Sequence, residues 1–343
     1  MSTYENLHGR RVSVVSSNPS NPKDGEVWYN STLGLLKGYV LGTAVWTSGG
    51  SLNTKRSAAI AGTVSAGLAS HGYVYSPSSP VGGSVATEEY NGTSWTSVNN
   101  ANQARYQTSA LGTQTAAVVF GGLNGTTEPG PYTMSTSFEG YDGTTWTNLT
   151  AAPTAKAGGT PMVGTSTTLA QVCGNSNESG GVSNTVQEYA SGSWSAGENY
   201  PVSIQGLAGA GIQTASVHMG GATAAPGSPV IDTANEYDGT NFSATGAIPA
   251  ASRSFGGRTG TQTACIFAGG VSPLNQKTLD YDGSTFSINP ATQVTTRPSV
   301  GNSGMSGTAN TASLICGAGS TPTLTNTEEF AGAVVETKTL TTS

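Results

Sequence analysis

Short apolar runs broken by glycine set the rhythm of this chain. Ala116-Ala-Val-Val-Phe120 follows Gly112-Thr-Gln-Thr-Ala and ends at Gly121-Gly122. A run this short, rich in β-branched and aromatic residues, predicts a buried strand. No segment sustains a 3.6-residue apolar period, which excludes a helical solenoid. The same pattern recurs in 11-residue blocks that open at Gly62, Gly112, Gly164, Gly211, Gly260 and Gly307, spaced 50, 52, 47, 49 and 47 residues apart. A second signature follows each block: Glu88–Trp95, Phe138–Trp146, Gln187–Trp194, Asn235–Phe242, Leu279–Phe286 and Glu328–Val335. Six repeats of about 49 residues therefore tile the chain from residue 51 onward.

The second signature reads as a hairpin. Asn91-Gly92, Asp142-Gly143, Asp238-Gly239 and Asp282-Gly283 supply residues that tolerate positive φ in a two-residue loop. With Asn91-Gly92 as that loop, Tyr90 opposes Thr93 and Glu88 opposes Trp95, which leaves Tyr90 and Trp95 diagonal on one face. The repeated structural positions are thus Tyr90 with Trp95, Tyr141 with Trp146, Tyr189 with Trp194, Tyr237 with Phe242 and Tyr281 with Phe286. The last repeat carries Phe330 with Val334-Val335, so aromatic packing is expected to weaken towards the C-terminus. Each repeat then holds four strands: a, after a cation ahead of the block; b, ending at Gly-Gly; c, ending at Tyr; and d, starting at Trp. A lone four-stranded sheet cannot bury both faces, whereas radial repetition can, so the fold expected is an all-β propeller of four-stranded blades.

Gly-Gly closing strand b, Tyr closing strand c and Trp opening strand d resemble kelch repeats. The resemblance implies six kelch-like blades. His71, Cys173 and Cys316 stand where the first Gly of the pair is expected. Residues 18–50, with Asp24-Gly-Glu-Val-Trp-Tyr-Asn30, Leu35-Leu-Lys-Gly-Tyr39 and Trp46, resemble small β modules near the N-termini of bacteriophage tail-fibre and other virion proteins. Strands are expected at Glu26–Asn30, Leu35–Val40 and Ala44–Thr47, with Arg11–Ser16 as an extra one. Residues 1–50 are either a separate attachment module or a divergent seventh blade, and 51–343 form the propeller.

Charge narrows the function. Only 9 % of residues are charged, the formal net charge is −6, and Gly numbers 48 of 343. That balance argues against a nucleic-acid partner, whose phosphates need clustered cations. No run of 18 apolar residues is present, so no membrane insertion is expected. The first residues lack a signal-peptide pattern, so synthesis in the host cytoplasm is expected. Three Cys make no disulfide framework, and Cys173 and Cys316 share a repeat position too far apart to bridge.

Three His sit in different repeats, so no catalytic, cofactor or metal site is expected. A cation opens strand a in most repeats (Arg56, Arg105, Lys156, Arg253, Arg297), with Gln205 the exception. An acid sits next to each Tyr (Glu89, Glu188, Glu236, Asp280, Glu329), or one place earlier at Glu139. The two sets are expected to bridge within or between blades. Glu88-Glu89 and Glu328-Glu329 cannot act as acid–base pairs, because adjacent strand residues face opposite ways.

The long, variable b–c segments would carry recognition. Tyr73, Tyr75 and Tyr132 on them are the candidate contacts for a sugar ring or a partner protein. The expected function is that of a non-enzymatic phage virion structural protein, tail fibre or tail-associated. Its N-terminal module would contact other virion proteins and its propeller would serve assembly or host-surface recognition. The alternative is a carbohydrate-binding or carbohydrate-processing propeller acting on host glycans.

Overall fold

The alternation of small apolar residues and glycines does produce strands. The computed structural model describes residues 12–20, 25–74, 82–125, 133–157, 161–166, 169–176, 181–224, 228–255, 259–295, 305–318, 324–333 and 335–340. The architecture is all-β and propeller-like. Two compact units are distinguished, residues 1–45 with 332–343, and residues 46–331.

The smaller unit holds a four-stranded sheet in the order Ser13–Val15, Val27–Asn30, Leu35–Leu41 and Val335–Thr339. On one of its faces Trp28 and Asn30 are buried, and Asn18 accepts hydrogen bonds from both Trp28 Nε1 (3.2 Å) and Asn30 Nδ2 (3.0 Å). Val14, Val27 and Tyr29 on the opposite face are exposed.

In the larger unit six sheets are each built around four strands. Sheet I is Ser57–Thr63, Ala66–Val74, Thr87–Tyr90 and Trp95–Ser97. Sheet II is Ser109–Thr113, Ala116–Phe120, Phe138–Tyr141 and Trp146–Asn148. Sheet III is Met162–Ser166, Leu169–Ser176, Val182–Ala190 and Ser193–Ala196. Sheet IV is Ala208–Ile212, Ala215–Met219, Ala234–Tyr237 and Phe242–Ala244. Sheet V is Thr259–Thr261, Ala264–Ala268, Thr278–Tyr281 and Phe286–Asn289. Sheet VI takes Met305–Ala309, Ala312–Ala318 and Leu324–Ala331 from the far end of the chain, and its fourth strand is Val45–Gly49. The first strands of the sheets touch in the order I to VI, and VI touches I.

This arrangement corrects the expected end of the repeat. Phe330 packs against Trp46, ring centroids 5.2 Å apart, rather than against the Val334-Val335 pair. Val335 opens the last strand of the smaller unit's sheet, and Val334 lies outside the described residues. The aromatic pair of the last sheet is therefore supplied from the start of the chain.

Three further expectations are corrected by register. Tyr90 lies directly opposite Trp95, not diagonally, and the loop between them has four residues. Asn91 Oδ1 accepts from the backbone N–H groups of Thr93 and Ser94, and Asp142, Asp238 and Asp282 do the same in their sheets. The side-chain cap thus replaces the two-residue turn.

Cys173 and Cys316 do not replace a glycine. Each pairs as Phe120 does, with the residue three before the signature aromatic. The first hairpins of sheets III and VI hold one extra residue, absorbed at register shifts between Gly164 and Ser166 and between Ser306 and Ala309. Among the described residues only His71 stands in the glycine position, with φ of 54°, against 63°, 62°, 79° and 64° at Gly121, Gly220, Gly269 and Gly317.

The strand-opening position is likewise shifted in two sheets. Arg105, Lys156, Ile204 and Ser252 each donate a backbone N–H to the residue six before the signature Tyr, so Ile204 and Ser252 take the place expected for Gln205 and Arg253. Arg297 lies outside the described residues.

Candidate functional site

The recurring polar residues build two sets of contacts. The first lies within a sheet. Arg56 pairs with Glu88, and Arg105 Nη2 lies 2.6 Å from Glu139 Oε1, all four side chains being buried. Glu88 and Glu139 precede the signature Tyr by two residues. The expected bridge holds at Glu139, and at Glu89 it is corrected, because strand alternation turns the acid adjacent to Tyr to the other face. Glu88 also accepts from the N–H groups of Asn53 and Thr54, as Glu328 does from Val294 and Thr295. In sheet III the Lys156 ammonium instead reaches the Thr185 carbonyl and hydroxyl, and Gln187 occupies the carboxylate position.

The second set joins neighbouring sheets. The hydroxyls of Tyr90, Tyr141, Tyr237 and Tyr281 donate to Glu329 (2.5 Å), Glu89 (2.9 Å), Glu188 (2.9 Å) and Glu236 (2.8 Å) of the preceding sheet. Burial, reinforced by the adjacent carboxylate, raises the pKa of these phenols, to about 12 at Tyr90, Tyr237 and Tyr281. Each therefore remains a neutral donor at ordinary pH. Asp280 meets the position of Phe330, which has no hydroxyl; its pKa is raised by burial, and Asn289 Nδ2 donates to it at 2.7 Å.

Indole nitrogens make the parallel contact. Trp46, Trp95 and Trp146 donate to the hydroxyls of Thr278 (2.8 Å), Thr327 (2.8 Å) and Thr87 (3.1 Å). Trp194 faces Phe138 and donates instead to the Thr150 carbonyl (2.8 Å). The expected structural aromatics are thus brought together, with ring centroids 4.8, 5.0, 5.1, 4.6 and 4.3 Å apart from Tyr90–Trp95 to Tyr281–Phe286.

The candidate recognition residues stand differently. Tyr73 is on the second strand of sheet I rather than on a loop, half-buried against Tyr106 with centroids 5.3 Å apart. Gly82-Gly83 pair with Tyr73 and Val74 and draw that strand past its expected end. Tyr75 and Tyr132 lie outside the described residues.

A cavity of about 530 Å³ was not anticipated. Gly62, Gly112, Gly164, Gly211, Gly260 and Gly307, the residues that open the six blocks, all line it. The remaining wall includes Leu111, Ile212, Thr113 and Gln262, and no ionisable side chain is among the described lining residues. A Cβ at Gly62, Gly112 or Gly260 would run into the carbonyl of Ala66, Ala116 or Ala264. The glycine period was therefore the available signal, and at these positions it reports the close approach of each first strand, at positive φ, to the second strand of its own hairpin. An uncharged wall suits an uncharged ligand or none, since it offers no counter-charge.

The histidines His71 and His218 are both buried. Burial, with Arg105 nearby, lowers the pKa of His71 to about 4, and burial lowers that of His218 to about 3. Among the described residues no group of three or more His, Cys, Asp and Glu is placed to hold a metal ion. Cys265 is buried in its strand, which pushes its thiol pKa up.

No family model matches the chain, and no curated protein matches it. Among solved structures, the chain is similar to YjhT, with a TM-score of 0.64 at 14 % sequence identity over 84 % of this chain and 99 % of that one. The likeness is one of fold.

Proposed function

We propose that the chain is a non-enzymatic structural protein of a bacteriophage virion, in which the smaller unit attaches a six-bladed, kelch-like propeller to the particle. The propeller would then serve assembly contacts or recognition of the host surface. The observation that carries this reading is the open apolar face of the small sheet. Val14, Val27, Tyr29 and Leu340 are exposed there, on a sheet whose other face carries the buried Trp28 and Asn30. Clustered exposed apolar side chains of this kind are covered by partners in assembled proteins. Residues 18–50, which resemble the N-terminal modules of virion proteins, supply two of the four strands of this sheet, and that resemblance favours other virion proteins as the partner class. In the larger unit the recurring ionisable groups are engaged in holding sheets together, which fits a scaffold better than a catalyst. Six sheets in cyclic contact, with Trp46 completing the last, support the blade number.

The uncharged cavity favours a second reading, a propeller that binds or processes host glycans, since Thr113, Thr261 and Gln262 offer hydroxyl and amide partners to a sugar.

Mass spectrometry of purified particles tests the first reading. The protein is expected in particles of the parent phage, and its incorporation is expected to fall about tenfold or more when Val14 and Tyr29 are both changed to Lys. Absence from parent particles, or undiminished incorporation of the variant, overturns it. Binding on a glycan array, abolished by Thr113→Trp, would favour the second.

A further inference from the structure

His71 is the exception in the glycine position, and its surroundings suggest why. A Cβ in the left-handed region costs about 1 kcal/mol, yet here it is held fully buried. The ring leaves the second strand of sheet I and enters the joint with sheet II. Nδ1 lies 3.2 Å from Ser70 Oγ, and Nε2 lies 3.3 Å from Arg105 Nη2 and 3.5 Å from Glu139 Oε1. Trp146 of sheet II meets the ring edge-on at 5.4 Å. Arg105 can only donate, so Nε2 accepts and the proton of the neutral ring sits on Nδ1, towards Ser70.

The charged groups facing the ring come from both sheets. Sheet I contributes Arg56, whose Nε donates to the His71 carbonyl at 2.9 Å, and its partner Glu88. Sheet II contributes Arg105 and Glu139. The four charges cancel while the ring is neutral. Arg105 has little slack, because its Nε is already buried without a partner.

We propose that this joint is an acid-sensitive latch: a proton taken from solvent by His71 Nε2 turns the acceptor of Arg105 into a rival donor to Glu139 and loosens sheet I from sheet II. The added proton has no lone pair to meet at Arg105, and it leaves the buried cluster with one net positive charge. Among the described residues Glu139 is the carboxylate within reach of Nε2, and sharing it weakens the Arg105–Glu139 pair. The folded ring, with its pKa held near 4, resists a proton that the unfolded ring accepts near 6.5. The joint's stability is therefore full above pH 6.5 and is lost as pH falls towards 4.

Hydrogen exchange of the full chain between pH 7 and 4.5, corrected for intrinsic rates, tests the latch. Protection of Ala66–Val74 and Ser109–Thr113 relative to Ala264–Ala268 of sheet V is expected to fall on the order of tens-fold in the parent. It should change less than about threefold in His71→Gly and His71→Asn, which accept the left-handed backbone without a titrating ring. An equal acid loss in both variants, or none in the parent, overturns the proposal. The ring-nitrogen shifts of the unsubstituted chain provide a reading that does not depend on variants folding. A neutral Nδ1–H tautomer at pH 7 that becomes imidazolium near pH 4 supports the latch, and an Nε2–H tautomer at pH 7 overturns it.

Discussion

The joints V–VI, VI–I and I–II carry an indole donating to a threonine, at Trp46–Thr278, Trp95–Thr327 and Trp146–Thr87. Across the other three joints the same two positions hold Trp194 with Phe138, Phe242 with Val186 and Phe286 with Ala234, and the contact is apolar. The interior of the sheets divides alike. Sheets I and II bury Arg with Glu, whereas sheets IV and V place Ile204 with Asn235 and Ser252 with Leu279 at the equivalent positions. Sheet III is intermediate, with Lys156 and Gln187. One backbone plan thus accepts two chemistries, provided that both members of a pair change together. A buried donor left without its acceptor costs more than the hydrogen bond contributes, so partial exchanges are the expensive ones.

The largest effect follows from separating the Arg105–Glu139 pair. Glu139→Leu leaves the guanidinium buried and uncompensated and is expected to destabilise by about 3–5 kcal/mol. Adding Arg105→Met replaces the buried ion pair by an uncharged pair, as sheets IV and V have at the equivalent positions. The double variant should recover more than half of that loss, the remainder being the Gly121 carbonyl, which loses Arg105 as a donor, and the Asn102 N–H, which loses Glu139 as an acceptor. Urea unfolding of the parent, both single variants and the double variant measures this. A double variant as unstable as Glu139→Leu would mean that the two halves of the ring are not interchangeable.

Much of this was legible in the repeats. The glycine-led blocks and the Tyr–Trp signature located the strands and the aromatic pairs, because a buried sheet face tolerates little variation in either. Which acid meets which cation was not legible. Glu88 and Glu89 are adjacent in sequence, and only the strand's facing decides that Glu88 meets Arg56 while Glu89 meets Tyr141 of the next sheet. The ends of the repeat misled for a different reason. Val334-Val335 follow Phe330 in sequence, but the partner that fills the joint is Trp46, from the opposite end of the chain, and proximity along the chain carries no information about a strand exchanged between termini. The extra residue in the first hairpins of sheets III and VI was hidden because Cys173 and Cys316 kept the 11-residue spacing to the following Gly. Of the candidate recognition residues only Tyr73 is described, and its burial against Tyr106 is a long-range contact that spacing does not encode.

An intermediate effect is expected at the Trp146–Thr87 joint. Trp146→Phe removes the indole donor and leaves the buried Thr87 hydroxyl to find another partner, a loss of about 1–2 kcal/mol. Thr87→Val alone leaves the indole N–H unpaired at similar cost. Together they reproduce the Val186–Phe242 joint, so the double variant should be less destabilised than the sum by about 1 kcal/mol. Strict additivity in a double-mutant cycle would remove the hydrogen bond as the reason for the pairing.

The smallest effect is an addition. Phe330→Tyr would place a hydroxyl where the other five sheets already have one, facing Asp280 of the preceding sheet. Asp280 has its pKa raised by burial, so its carboxylate is less comfortable in the fold than in the unfolded chain, and it disfavours folding once pH rises above its unfolded value. A phenol donor stabilises that charged form and lowers the pKa. The variant is therefore expected to gain about 1 kcal/mol or less at pH 7. The gain should shrink as pH falls through the carboxylate range, because a protonated Asp280 no longer needs the donor. Melting midpoints of parent and variant at pH 7 and pH 3.5 measure both quantities. A gain that persists unchanged in acid would assign it to packing of the added oxygen against Trp46 rather than to Asp280, and the Tyr–carboxylate contacts of the other joints would then have to be read as packing too.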